Sequence, residues 1–304
     1  MNVSYVKQKK IGEGTYATIY LAKSGQTNKT YKILKDENEL ESVKEVAIKR
    51  IKKSEHCFGL DYSAIREIKT LQRIKTKYII DLLDVFIHKG DIHMVLEYCP
   101  LNLETIIKDN SRTIMPKDIK NWMLQILKGL YEMHKRFIVH RDIKPNNILI
   151  SNTGIIKIAD FGLSREIDRD RMTTAVVTRW YRAPELLLGC KFYTAAVDIW
   201  ATGCVFAELF LRVPFFPAED DIQQLNCILK VMGTPTEQDW PSMKKLPNYY
   251  DFEKFQRVQM RDIFTATCDE ALDLLLSMLV YDPNKRITTS KALLHKYFGS
   301  QKCL

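Results

Sequence analysis

The apolar positions change rhythm near residue 100. Before it, short runs at 17–22, 45–51, 79–86 and 92–97 have the length of β-strands, and one helical segment, 63–74, interrupts them. After it, Ile119, Trp122, Met123, Ile126, Leu127, Leu130 and Met133 recur at steps of three and four, which predicts an amphipathic helix. Apolar runs at 147–150 and 155–159 predict a hairpin inside that helical half, and 272–280 predicts another buried helix. The most apolar stretch, 193–216, contains Asp198, Glu208 and Arg212, charges that a membrane span tolerates poorly, so it reads as a buried core helix. The pattern describes an α+β chain: a small, mostly β lobe (1–98) with one key helix, then a larger, mostly α lobe (99–304). Pro100 ends any strand in the short connector between them. The polar stretch 23–44 reads as a surface insertion between two strands.

Composition adds bounds. The chain has 304 residues, 46% hydrophobic and 27% charged, ordinary for a globular protein able to bury a sizeable core. The formal net charge of +9 is spread along the chain, which describes a lysine-rich solvated surface, and no nucleic-acid motif interleaves aromatics with it. Seven cysteines, widely spaced and without a C-x-x-C pair, speak against a disulfide framework or a zinc site. The first ten residues carry no apolar signal core.

Candidate chemistry sits in short segments. In 11–20, Gly12, Glu13 and Gly14 form a turn whose backbone can approach phosphate oxygens where a Cβ would obstruct them; alone, this is as readily a hairpin. In Val46-Ala-Ile-Lys49, a lysine inside an apolar strand either faces solvent or must pair with a carboxylate, for which Glu67 is the candidate. The decisive segment is His140-Arg-Asp-Ile-Lys-Pro-Asn-Asn147. It places a base candidate (Asp142), a cation (Lys144) and an amide metal ligand (Asn147) in one loop. Asp160-Phe-Gly162 follows the next strand with a second oxygen ligand suited to Mg²⁺. Ala183-Pro-Glu185, Asp198-Ile-Trp200 and Arg286 complete the set.

With these motifs the chain resembles the protein kinase superfamily over nearly its whole length, with the bilobal fold that implies. Residues 61–67, Asp-Tyr-Ser-Ala-Ile-Arg-Glu, and 176–185, Val-Val-Thr-Arg-Trp-Tyr-Arg-Ala-Pro-Glu, resemble the cyclin-dependent kinases. Ala17-Thr18, 106–111, 211–215 and 233–237 with Trp240 are similar to the CDK-activating kinase of transcription factor TFIIH. Thr15-Tyr16, the dipeptide that cell-cycle members carry as an inhibitory site, keeps a cell-cycle kinase as the alternative. A catalytically inactive scaffold would require loss of Lys49, Asp142, Asn147 or Asp160, and all are present.

The resemblance implies ATP and Mg²⁺ as cofactors. Adenine would lie between Ile11, Ile19, Ala47 and Leu149, bonded to the backbone of Glu97 and Cys99, with Leu96 as gatekeeper. Lys49, oriented by Glu67, would hold the phosphates; Asn147 and Asp160 would bind the metal; Asp142 would take the hydroxyl proton and Lys144 neutralise the transferring group. Glu185 and Arg286 would brace the large lobe as a buried ion pair. Arg66, Arg141 and Arg165 would converge on a phosphate carried by Thr173. Val177, facing Arg182, and Thr178 would select a Ser/Thr-Pro acceptor. The implied partners are a cyclin of the TFIIH type, an assembly factor and proteins with Ser/Thr-Pro sites. No sequence-specific nucleic acid and no membrane is implied, and the implied location is the nucleus.

Overall fold

A computed structural model describes residues 2–14, 17–27, 32–34, 41–52, 62–166 and 179–299. The chain divides into two units, Met1–Leu101 with Leu149–Leu163, and Asn102–Ile148 with Ser164–Leu304. In chain order the first elements are β1 (Asn2–Glu13), β2 (Ala17–Thr27), β3 (Ile33–Leu34), β4 (Glu41–Ile51), α1 (Tyr62–Arg73), β5 (Leu82–His88), β6 (Asp91–Glu97) and β7 (Leu101–Asn102). Then come α2 (Leu103–Lys108), α3 (Pro116–His134), β8 (Ile138–Val139), β9 (Ile148–Ile150), β10 (Ile156–Ile158) and β11 (Arg165–Glu166). The remainder is helical: α4 (Pro184–Leu187), α5 (Ala196–Leu211), α6 (Asp221–Met232), α7 (Met260–Ile263), α8 (Asp269–Met278), α9 (Thr289–Leu293) and α10 (Lys296–Gly299).

The first unit is built on a six-stranded sheet ordered β3-β1-β2-β4-β6-β5. The β2–β4–β6 register aligns Ile19 with Lys49 and Met94, and Leu21 with Ala47 and Leu96. Directly paired residues share a face, and so do residues two apart, so these six side chains line one side of the sheet. The stretch 23–44 is more than a surface loop. β2 and β4 run well into it, β3 pairs parallel to β1, and Leu34 buries against Val6. Lys32 binds Asp84 at 2.8 Å, and the Tyr5 hydroxyl donates to the same carboxylate oxygen at 2.9 Å. The hairpin strands at 149–163 pack with this unit. The reason is backbone pairing: the Ile158 amide donates to the Tyr78 carbonyl at 2.9 Å, and the Ile80 amide to the Ile158 carbonyl at 3.0 Å.

A polar cluster lies within the sheet. His93 is buried, stacked on Phe86, which stacks on Tyr5. Its Nδ1 meets the Asp91 carbonyl at 3.2 Å and its Nε2 meets Lys7 Nζ at 3.0 Å. A carbonyl needs a donor and an ammonium an acceptor, so the ring is the neutral Nδ1–H tautomer. Burial, then the Lys7 charge, pushes the pKa of His93 down to about 4. In the unfolded chain the ring titrates near its ordinary ~6.5. Below that pH the unfolded chain takes up a proton that the native state refuses. The stabilisation is therefore complete above ~6.5 and is lost as pH falls towards about 4. His93→Phe, which keeps the stack, is expected to remove about 1.4 kcal/mol per pH unit from the stability slope in that window. Chemical denaturation at pH 4.5 to 6.5 checks it; equal slopes in both proteins would contradict the assignment.

The second unit is organised around α5, a helix buried nearly all round from Val197 to Leu209. Trp200 stacks on Phe216 and leans on Tyr281, which in turn meets Trp240. The stripe of α3 buries Ile119, Met123, Ile126, Leu127, Leu130 and Met133 as its spacing predicts, whereas Trp122 is half-buried. α3 opens with Pro116 in its first turn, where a missing N–H costs nothing. Among the described residues, no helix is long and apolar enough to cross a membrane. Among the described residues, Cys99, Cys190, Cys204 and Cys227 are free thiols.

Candidate active site

The first unit holds the residues expected to face a nucleotide. In the β1–β2 turn the Gly14 amide donates to the Ala17 carbonyl at 2.8 Å. Neither Gly12 nor Gly14 has positive φ, and among the described residues a Cβ on either would meet no atom closer than 3.5 Å. The described residues do not require glycine at either position, and a backbone without Cβ atoms there can approach phosphate oxygens closely. Glu13 and Ile11 are exposed beside it; Ile19 and Leu149 are half-buried, and Ala47 and Leu96 are buried. Glu97 and Cys99 follow at the end of β6. Burial, then the Glu97 charge, pushes the Cys99 thiol up to about 12, so it stays protonated.

Lys49 projects from the same sheet face. Its Nζ lies 2.9 and 2.8 Å from the two oxygens of Glu67 and 3.0 Å from Asp160 Oδ1. α1 carries Glu67 fully inward, and the Phe161 backbone amide adds a bond to its carboxylate. Burial alone would lower the Lys49 pKa, but the charges of Glu67 and Asp160 outweigh it and lift it above its ordinary value. Lys49 is therefore a fixed cation. Asp160 holds a left-handed backbone (φ 64°), and its side chain is half-exposed while bonded to Lys49. A hard divalent cation takes oxygen ligands of this kind.

The second unit carries the candidate catalytic loop, 140–147, after β8. Lys144 Nζ donates to Asp142 Oδ2 at 2.8 Å, and Asn147 Nδ2 donates at 2.8 Å both to that oxygen and to the Asp142 carbonyl. The Asn147 amide nitrogen is thereby committed to Asp142, which turns its oxygen to the other side, as a metal ligand requires. Burial raises the Asp142 pKa against the pull of Lys144, giving a more basic carboxylate than an exposed aspartate. His140 is fully buried, and its Nδ1 accepts the Asp142 amide at 3.3 Å, a packing role.

Asp198, on the first turn of α5, holds this loop from beneath. It accepts the His140 and Arg141 amides at 2.8 Å each, and His134 Nε2 lies 2.9 Å from it. Burial would raise the Asp198 carboxyl, but the His134 bond, the nearby histidines and the loop amides hold it below its ordinary value. Arg141 can thus keep its left-handed φ of 71°. The sequence marks Asp198 through its motif but gives no hint of His134, which reads there as one more residue of an amphipathic helix.

Arg141 donates to the Tyr193 hydroxyl at 2.7 Å, and β11 pairs with β8 so that Arg165 lies opposite Val139, at the entrance to the Arg141 loop. Arg66 stands on α1 of the first unit. Thr15, Tyr16, Thr173, Val177 and Thr178 lie outside the described residues. Glu185 and Arg286 form the expected buried pair at 2.8 and 2.9 Å.

A fixed ammonium beside a half-exposed carboxylate, a turn bearing Gly12 and Gly14, and a buried aspartate bonded to lysine and asparagine are parts that suit a phosphotransferase. The protein kinase domain family matches residues 5–298. A probable serine/threonine-protein kinase, a KIN28 homolog from Encephalitozoon cuniculi, is 48% identical over 98% of this chain and 96% of its own. KIN28 of Saccharomyces cerevisiae is 44% identical over 98% of this chain and 94% of its own, and cyclin-dependent kinase 7 of Xenopus laevis 42% over 98% and 82%. A chain from the CAK complex of Chaetomium thermophilum, bound to ATP-gamma-S, superposes with a TM-score of 0.86 at 42% identity, over 98% of this chain and 92% of that one. The chain belongs to the protein kinase family, and within it to the cyclin-dependent serine/threonine kinases. It is an ATP-dependent phosphotransferase, similar over nearly its whole length to KIN28 and cyclin-dependent kinase 7.

Proposed function

We propose that this kinase phosphorylates Ser/Thr-Pro sites in the heptad repeats of the RNA polymerase II C-terminal domain and activation-loop threonines of other cyclin-dependent kinases. In this reading it is the catalytic subunit of a nuclear TFIIH-type complex with a cyclin and an assembly factor. The observation that carries it is identity of 41–48% over at least 95% of this chain to KIN28 and cyclin-dependent kinase 7 relatives, with every chemical motif intact.

Lys49 would hold the α- and β-phosphates, kept charged by Glu67 and Asp160. The adenine would rest on Ile11, Ile19, Ala47 and Leu149 and bond to the backbone of Glu97 and Cys99. Asn147 and Asp160 would be the Mg²⁺ ligands, an assignment that comes from the order of their two motifs. When bound, Mg²⁺ screens charge on the transferred phosphoryl group. Asp142 would orient the acceptor hydroxyl and take its proton, while Lys144, already on Asp142, would face the transferring group. No nucleophilic side chain is needed.

Activation would come from two additions. A cyclin would hold α1, and so the Lys49–Glu67 pair, in place; phosphate on Thr173 would join Arg66, Arg141 and Arg165. By the family resemblance, selection of proline would come from Val177: a carbonyl there turned to Arg182 would leave an ordinary residue after the acceptor Ser or Thr with a buried unpaired N–H, at about 1–3 kcal/mol. Proline has no N–H to lose. The expected result, with the cyclin-bound enzyme, is at least a tenfold preference, about 1.4 kcal/mol, for heptad peptides over copies with each Ser-Pro changed to Ser-Ala. Equal rates would refute the proline argument, and histone-type substrates far outrunning heptads would replace the transcriptional reading. The same assay without cyclin, and on Thr173→Ala, reads activation: full rate from the lone, unphosphorylated chain would sink that half.

A further inference from the structure

Lys157, on β10, is a buried cation that none of these roles uses. Its side chain is 7% exposed, and its Nζ lies 2.6 Å from Glu97 Oε1. The same oxygen accepts the Asp81 amide at 2.9 Å, while the Glu97 amide donates back to the Asp81 carbonyl at 3.1 Å. Glu97 is thus held at three points, and its carboxylate is satisfied from two sides. An ammonium withdrawn from water is retained only where a partner of this quality meets it. The strand that bears Lys157 is itself fixed by the Ile158 bonds to Tyr78 and Ile80, and it leads directly to Asp160.

We propose that Lys157 is a positioning residue for the nucleotide base. Through Glu97 it fixes the main-chain groups of 97–99 against the strand that carries Asp160, and so sets the preference for adenine. The inference rests on the reading that 97–99 bind the purine edge.

The test uses the cyclin-bound kinase, a heptad peptide as acceptor, and ATP and GTP as probes. Lys157→Met removes the ammonium and leaves the Glu97 carboxylate without its cation. The KM for ATP is expected to rise about tenfold with kcat within about twofold, the signature of lost ground-state binding. The ATP-over-GTP ratio of kcat/KM should fall by a similar factor. Lys157→Met/Glu97→Gln should be no worse than Lys157→Met alone, because both changes strike one pair. If Lys157→Met does not fold, the isosteric Glu97→Gln weakens the same pair and must move the same two readouts. A lower kcat or melting temperature with wild-type KM for ATP and wild-type base preference overturns the proposal and leaves the pair as scaffolding. An unmutated enzyme that uses GTP as well as ATP would instead overturn the purine reading of 97–99, and the proposal with it.

Discussion

Asp142→Asn is expected to lower peptide phosphorylation by about 10²–10⁴-fold, the range lost when a positioned general base is removed. Asparagine has the same shape, so the contacts of Lys144 and Asn147 retain an oxygen to bind, and the fold should survive. Lys49→Met is expected to be comparably inactive for another reason. It strips the cation from Glu67, which is buried, and from Asp160. Steady-state rates with a heptad peptide, beside thermal melts to show folding, check both. Near-normal activity in either variant would end the role assigned to that residue. Asp142 adds a pH signature. Burial lifts its pKa, and the base must be deprotonated to act, so activity should fall on acidification earlier than an exposed aspartate would cause.

The parts of this site that can be read in sequence are those in which chemistry is contiguous. Residues 140–147 put the proposed base, cation and metal ligand in one loop, and the fold has only to close bonds between near neighbours. The Lys49–Glu67 pair is legible for a different reason: a lysine in an apolar strand demands a carboxylate, and the following helix offers one. The same logic applies to Lys157 between Ile156 and Ile158, but the partner is far away in sequence and reads as a connector residue, so the pair stays hidden. β3 was equally obscure, because two apolar residues inside a polar stretch carry no period to read. Long-range caps are beyond pattern altogether. Arg212, in a left-handed C-cap, donates to the carbonyls of Ile107 at 2.8 Å, Asp109 at 2.6 Å and Arg112 at 2.8 Å, and so satisfies the end of α2. The segments 106–111 and 211–215 look like separate likenesses to the TFIIH kinase when read along the chain. Through Arg212 they are one structural joint.

Replacing Arg286 with methionine should cost about 3–5 kcal/mol, because it leaves a buried carboxylate without its cation. The guanidinium is fully enclosed. It binds both oxygens of Glu185, at 2.8 and 2.9 Å, and spends its remaining donors on the carbonyls of Val280 at 3.0 Å, Ala196 at 2.7 Å and Tyr281 at 3.2 Å. It also lies 5.2 Å over the Trp200 ring, so it joins α4, α5 and the end of α8. Lysine cannot rescue it, since a point charge lacks the fork that serves two carboxylate oxygens and three carbonyls together. A domain of ordinary stability has about 5–15 kcal/mol in total. Arg286→Met and Arg286→Lys should therefore both lose most of their soluble yield or melt far lower. Glu185→Gln is the gentler probe, because it keeps acceptor and shape while removing the charge. It is expected to destabilise less than Arg286→Met but still measurably, by denaturant titration. The doubly neutral Glu185→Gln/Arg286→Met should lose less than the sum of the single changes, because no charge is left buried alone. Strict additivity in that cycle would show that the pair does not act as a unit, and the bracing role would have to be given to the carbonyl contacts of Arg286 instead.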